Sequence, residues 1–329
     1  MKRLAALTLM LFLAGCSIGG AKTPPPPPPQ ADTTPPAPQQ PPQATPPVPQ
    51  PVEPAPPREP KVSVDQPQVL QGDTGVVRFD LPVEGDVTVK VQGLDQQPWV
   101  FRLDGRPIAF VGFPANARVG RYPITVTWPG GQAETALEVV QKKFTEDRLV
   151  VTAEQEATYY DPRQAEEWAR VFALRSKSWS APLWDGPFRK PLEGDLKITT
   201  YFGEIRFVNG TETGRHSGMD FGADEGTPVV ASARGRVLMT EQLIVSGNTI
   251  ILDHGMSLYT TYYHLSGYDV KAGDWVEPGQ VIGRVGNTGF SLGSHLHWTA
   301  TIGNVPVDPW PLTEAAPLGF VRPSPATAQ

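Results

Sequence analysis

Between residues 61 and 140, apolar and polar positions alternate with a period of two, the spacing of a half-buried β-strand. Val87, Val89 and Val91 share one face of such a strand, and Ile124, Val126 and Trp128 share one face of another. The pairs Gly72-Asp73, Gly85-Asp86, Asp104-Gly105 and Gly130-Gly131 punctuate these runs as turns, so the segment predicts several short strands. From 161 to 176 the period lengthens to that of a helix, with Trp168, Val171, Phe172 and Arg175 on one stripe. Asp161 offers a cap there and Pro162 fits the first helical position. Residues 195–312 return to β character: Thr249-Ile250-Ile251-Leu252 is rich in β-branched side chains, while Gly222–Gly226 and Glu277-Pro278-Gly279 break the runs.

This pattern predicts a mainly β chain. A β-sandwich is expected over 61–143, immunoglobulin-like but without the cysteine pair of true immunoglobulin domains. A connector with one helix follows over 144–194, then a C-terminal β domain over 195–312 and a tail over 313–329. The sandwich segment holds no histidine, cysteine or carboxylate cluster, so it reads as a spacer or docking module.

The N-terminus has a different pattern. Lys2 and Arg3 precede an apolar run, Leu4 to Ala14. That run is too short for a bilayer, which takes about 20 residues, but it suits a secretory signal. It ends Leu13-Ala14-Gly15-Cys16, which resembles the lipobox of bacterial lipoproteins. The resemblance implies a signal peptide over 1–16, cleavage before Cys16 and lipid on its thiol, hence an extracytoplasmic, membrane-anchored protein in a bacterial envelope. Residues 17–60 read as a disordered linker, because 19 of the 38 prolines lie between residues 21 and 60. In polyproline II form, at about 3.1 Å per residue, some 40 residues reach at most roughly 120 Å.

A net charge of −6 argues against nucleic acid as a partner, which would call for a basic face. Cys16 is the only cysteine, which excludes an intramolecular disulfide, a thiolate zinc cluster and an iron–sulfur site. The only histidines are His216, His254, His264, His295 and His297, all within the C-terminal β segment.

His295 and His297 stand two apart in a strand-like run, so both imidazoles leave the same face. His216 and Asp220 are four apart in a glycine-rich stretch that disfavours a helix. His264 ends the run Leu258–Leu265, in which Leu258, Thr260, Tyr262 and His264 are expected on one face. Four histidines and one aspartate can therefore converge from three β segments. Imidazole nitrogens with a carboxylate oxygen suit zinc. With no thiolate available, three protein ligands plus a water is the better pattern, leaving two histidines to act on that water.

Three blocks, His216-Ser-Gly-Met-Asp220, Tyr263-His264-Leu265 and His295-Leu-His297, in this order resemble the signature of the lysostaphin/LytM family of zinc metallopeptidases. Flanking segments agree: Tyr201 to Arg206, Gly226 to Ala231 and Gly283 to Gly289. The resemblance covers about residues 195–312. It implies an antiparallel β fold with a groove, one zinc ion held by His216, Asp220 and His297, a catalytic pair formed by His264 and His295, and hydrolysis of peptide bonds in peptidoglycan. Zinc brings the pKa of its water towards about 7. One imidazole then takes a proton, while the metal and the other imidazole stabilise the oxyanion. His295 is assigned the first role and His264 the second, and the two roles are exchangeable. His254 reads as a turn or supporting histidine.

Two other readings compete. Relatives that have lost zinc ligands act as silent regulators that activate another cell-wall hydrolase, but here every ligand position is filled. Val270 to Gly283 also resembles the hairpins of lipoyl or biotinyl carriers. Lys271 precedes its turn instead of occupying the tip, and that reading leaves the histidines unexplained.

Overall fold

In a computed structural model that describes residues 58–319, the chain is mainly β. Cys16, the signal peptide, the proline-rich linker as far as residue 57, and residues 320–329 of the tail lie outside the described residues. No described helix is long and apolar enough to cross a membrane.

Two four-stranded sheets form the first half. One orders its strands Val62–Val64, Thr74–Phe79, Arg106–Gly112 and Val100–Leu103. The other orders Gln68–Leu70, Gly131–Val140, Gly120–Trp128 and Thr88–Val91. Both sheets contribute to one core: Val77, Ala109 and Val111 from the first meet Val89, Val91, Ile124, Val126 and Leu137 from the second. The alternation seen in the sequence is thus an inward face, with Val87 and Trp128 partly buried beside it.

The strand Arg106–Gly112 departs from alternation, since every residue from Pro107 to Gly112 is buried. Its second face is covered as well. Ile108 and Phe110, with Phe101, pack against Trp184, Phe188, Met256, Leu258, Ala300 and Ile302 of the C-terminal half. At Gly112 even one added carbon would lie 3.1 Å from Ile302 Cβ. Sandwich and C-terminal sheet therefore share apolar surface.

The connector corrects one expectation: it holds two helices, α1 (Ala153–Tyr159) and α2 (Gln164–Leu174), where a single helix over 161–176 was expected. Thr152 opens α1 with a capping box, its hydroxyl accepting from Gln155 N while the Gln155 side chain accepts from Thr152 N. The Asp161-Pro162 turn separates the helices, and the Asp161 carboxylate accepts from Arg163 N at 2.9 Å. Val171 and Trp168 on α2 pack on Met239, Leu243 and Ile251. Upstream, the connector strand Glu146–Leu149 pairs in parallel with Ile205–Val208, which in turn forms a hairpin with Thr211–Arg215.

The C-terminal sheet is antiparallel, ordered Lys197–Thr200, Met219–Gly222, His295–Ile302, Leu258–Leu265, Gly247–Asp253, Gly235–Leu243 and Trp275–Val276. Val305–Val307 pairs onto His295–Ile302. One face of this sheet is packed with Met219, Phe221, Ile250, Leu252, Tyr262, Leu296 and Trp298. The opposite face carries the polar residues described next.

Candidate active site

Strand alternation builds the first part of the site. Met219–Gly222 lies antiparallel to His295–Ile302, with Asp220 directly opposite His297, and Met219 and Phe221 opposite Trp298 and Leu296. The apolar partners enter the core. Asp220, His295 and His297 therefore share the other face. His216 enters from the loop before this strand. Its Nε2 lies 2.9 Å from His297 Nδ1 and 3.1 Å from Asp220 Oδ1, and His297 Nδ1 lies 2.6 Å from Asp220 Oδ1. These three buried side chains form a group able to hold a metal ion.

His264 reaches the site by a different device. In the strand Leu258–Leu265, the residues Tyr259, Thr261 and Tyr263 pair with Thr301, Thr299 and His297 and share their face. Tyr262 points into the core, where its hydroxyl accepts from Ser232 N. Strict alternation would send His264 to that core side too. Asn248 pairs with Leu265 and Ile250 with Tyr262, however, so Tyr263 and His264 together oppose the single Thr249. This is a β-bulge, and His264 takes a left-handed φ of 59°. The expectation that Leu258, Thr260, Tyr262 and His264 share one face fails at its last residue. The extra residue in the bulge turns the imidazole over, until its ring centroid is 4.7 Å from that of His295.

Backbone carbonyls set the tautomers. A carbonyl only accepts, so His216 Nδ1 donates to Tyr201 O at 3.0 Å and its Nε2 presents a bare lone pair. His264 Nδ1 donates to Thr288 O at 2.8 Å, and His295 Nδ1 to Gly293 O at 2.7 Å. Both leave Nε2 as an acceptor. His297 Nε2 meets the hydroxyls of Thr299 at 3.0 Å and Ser217 at 3.3 Å, which can take its proton and leave Nδ1 bare.

Electrostatics follow from burial. Desolvation would raise the Asp220 carboxyl, but the adjacent His216 and His297 imidazoles outweigh it and hold the group well below the usual carboxylate range. Burial pushes His297 down to about 4, against the pull of Asp220. Burial, aided by the charges of His295 and His297, pushes His264 down to about 3.

Two bare imidazole nitrogens and an ionised carboxylate thus converge with separations of 2.6 to 3.1 Å. Three lone pairs so close repel unless a cation lies between them. A tetrahedral ion with ligands at 2.0–2.1 Å would space them by about 3.3 Å, so the donor set suits such an ion with little adjustment. A cleft of about 300 Å³ opens over the group, its lining including Lys197, Thr199, Arg206 and the run Phe290 to His295. A second cleft, lined by Tyr159, Arg215 and Tyr263, meets it at Arg206, His264, Phe290 and His297.

The five residues singled out in the C-terminal segment are therefore together, while Cys16 lies outside the described residues. His254 is elsewhere: it is buried, with Nδ1 at 2.8 Å from Arg234 O and Nε2 at 2.7 Å from Thr260 Oγ1. Sequence reasoning missed Arg206 and the orienting carbonyls of Tyr201, Gly293 and Thr288. Arg206 stood in the flank Tyr201–Arg206, but a carbonyl leaves no side-chain signature.

Comparison with known proteins agrees with the geometry. Residues 214–309 match the family described as Peptidase family M23. The chain is 38% identical over 121 residues to peptidoglycan DD-endopeptidase ShyA of Vibrio cholerae, covering 36% of this chain and 28% of that protein. It is 36% identical over 128 residues to lysostaphin of Staphylococcus simulans, covering 36% of this chain and 26% of that one. The matches thus span about a quarter of the length of these relatives. Among solved structures, an M23 peptidase from Pseudomonas aeruginosa is similar at 29% identity with a TM-score of 0.56, covering 76% of this chain and 96% of that one. That likeness reaches well beyond the matched family segment, into the residues before it. The convergent histidines and aspartate thus belong to a chain that carries, over residues 214–309, a domain of peptidase family M23.

Proposed function

We propose that the protein is a membrane-anchored zinc metalloendopeptidase that hydrolyses peptide bonds in peptidoglycan. The observation that supports this most is the convergence of His216 Nε2, Asp220 Oδ1 and His297 Nδ1, with two further imidazoles presenting bare nitrogens beside them. His216, Asp220 and His297 would hold one zinc ion. When bound, zinc supplies Lewis acidity, polarising a water and a peptide carbonyl.

The remaining steps fall to the chain itself. His295 accepts a proton at Nε2 while Nδ1 stays fixed on Gly293 O, and returns that proton to the leaving amine. His264 is the poorer resting base, because burial holds it at about 3. It would stabilise developing negative charge only with Nε2 protonated, its ring centroid lying 4.7 Å from that of His295. Thr288 O, through Nδ1, keeps the His264 ring aimed into the cleft. The relatives named as peptidoglycan endopeptidases support the substrate. The lipobox at Cys16 and the proline-rich segment after it support an extracytoplasmic, lipid-anchored location from which a tethered enzyme reaches the wall.

The test is incubation of the soluble chain, from about residue 58 onward, with purified sacculi, with and without a chelator. Zinc-dependent release of muropeptides is expected, with loss of release in His295→Ala despite retained zinc. Release that ignores both chelator and substitution would end the zinc-enzyme reading. Retained zinc with no release would favour the silent regulator.

A further inference from the structure

The chain as a whole is acidic, with a net charge of −6, yet the walls of the two clefts that meet at the site are not. Their charged side chains, apart from the histidines, are Lys197, Arg206, Arg215 and Asp220. Asp220 faces the candidate ligands, and its charge is spent there. What remains for a substrate is positive.

Arg206 lines both clefts. It lies on Ile205–Val208, paired in parallel register with Asp147 of the connector strand. Its Nε donates to Asp147 Oδ2 at 2.7 Å, and Nη2 lies 3.9 Å from Asp220 Oδ2. Among the described residues, Nη1 has no hydrogen-bond partner within bonding distance. The side chain is only 20% exposed, so its guanidinium is clamped along one edge and open at the other. A planar fork held in this way is suited to a carboxylate, and holding it in advance lowers the entropy lost on binding.

We infer that Arg206 is a specificity-determining residue that binds a free carboxylate on the substrate beside the scissile bond. The preferred substrate is then a peptide carrying an ionised carboxylate at that position, and an uncharged glycine bridge or an amidated peptide is disfavoured. Asp147 acts as a positioning residue, supplied by the connector to the peptidase domain. Lys197, on the strand Lys197–Thr200 beside Met219–Gly222, adds positive potential to the first cleft. The inference rests on the peptidase reading for its reaction but not for its binding step.

The experiment uses the full chain, zinc-loaded, and a crosslinked stem-peptide dimer prepared in two forms, with carboxylates free and with carboxylates converted to amides. Binding is measured calorimetrically in a His295→Ala background, and kcat/KM in the otherwise unaltered chain. The free-acid form is expected to bind roughly 10- to 100-fold more tightly, the range of one charge-assisted contact. Arg206→Gln should abolish that preference by weakening the free-acid form far more than the amide form, with zinc content measured alongside, and Arg206→Lys should restore part of it. Equal binding of the two forms, or binding of neither, would overturn the inference. So would a uniform loss on both forms in Arg206→Gln with falling zinc content, which would assign Arg206 to supporting Asp220 alone. A carboxylate preference that depends on Arg206, without any cleavage, would uphold the inference while ending the hydrolase reading.

Discussion

His254 and the group around His297 are two buried polar regions of one sheet, and burial alone does not tell them apart. Both imidazoles are enclosed, and desolvation pushes each down to about 4. What differs is the hydrogen-bond account. His254 donates from Nδ1 to Arg234 O and accepts from Thr260 at Nε2, and the chain continues through Tyr262 to Ser232. Nothing is left over. Around His297, hydroxyls and a carbonyl satisfy the outer ring nitrogens and leave three acceptors facing one point. A finished network stabilises a fold, whereas an unfinished one marks a place for a ligand.

The contrast is sharpened first at Asp220. Asp220→Ala should weaken zinc binding by more than the 10- to 100-fold typical of altering an orienting partner, and remove activity with it. His254→Gln should leave zinc stoichiometry unchanged and kcat/KM within about twofold. Metal analysis beside muropeptide assays of the two variants checks this, and equal zinc loss in both would erase the distinction.

The smaller effect concerns stability. His254 is neutral in the fold, with a pKa near 4, whereas in the unfolded chain an ordinary histidine titrates near 6.5. Its contribution is therefore complete above about pH 6.5 and is lost as the pH falls towards 4, because the unfolded state takes up the proton first. Over that window the loss is about 3 kcal/mol at roughly 1.4 kcal/mol per unit. Denaturant unfolding of zinc-loaded protein should show that His254→Gln starts less stable at pH 7.5 and loses less than the parent by pH 4.5. Parallel pH slopes for the two proteins would contradict a buried neutral His254.

Much of the site was legible because strand geometry is periodic. His295 and His297 on one face with Leu296 and Trp298 on the other follows from a period of two, and the same rule puts Asp220 between Met219 and Phe221. His264 was legible as a residue but not as a direction. Its orientation depends on a register shift opposite Thr249, which pairing decides and local sequence does not. In the connector the capping pair Thr152 and Gln155 marks the start of α1 in the sequence, ahead of the Asp161-Pro162 turn signal. The strand Arg106–Gly112 carried a near-continuous apolar run whose second buried face is explained only by the C-terminal sheet packed against it. Periodicity reports one covered face, and contact between distant segments supplies the other.

The central claim is that three side chains share one ion and leave a vertex open. X-ray absorption at the zinc edge on the zinc-loaded chain tests it most directly. The account predicts a four-coordinate shell of nitrogen and oxygen at about 2.0–2.1 Å containing two imidazoles, one of which disappears in His297→Ala. A shell with three or four imidazoles, or one unchanged by His297→Ala, would contradict it.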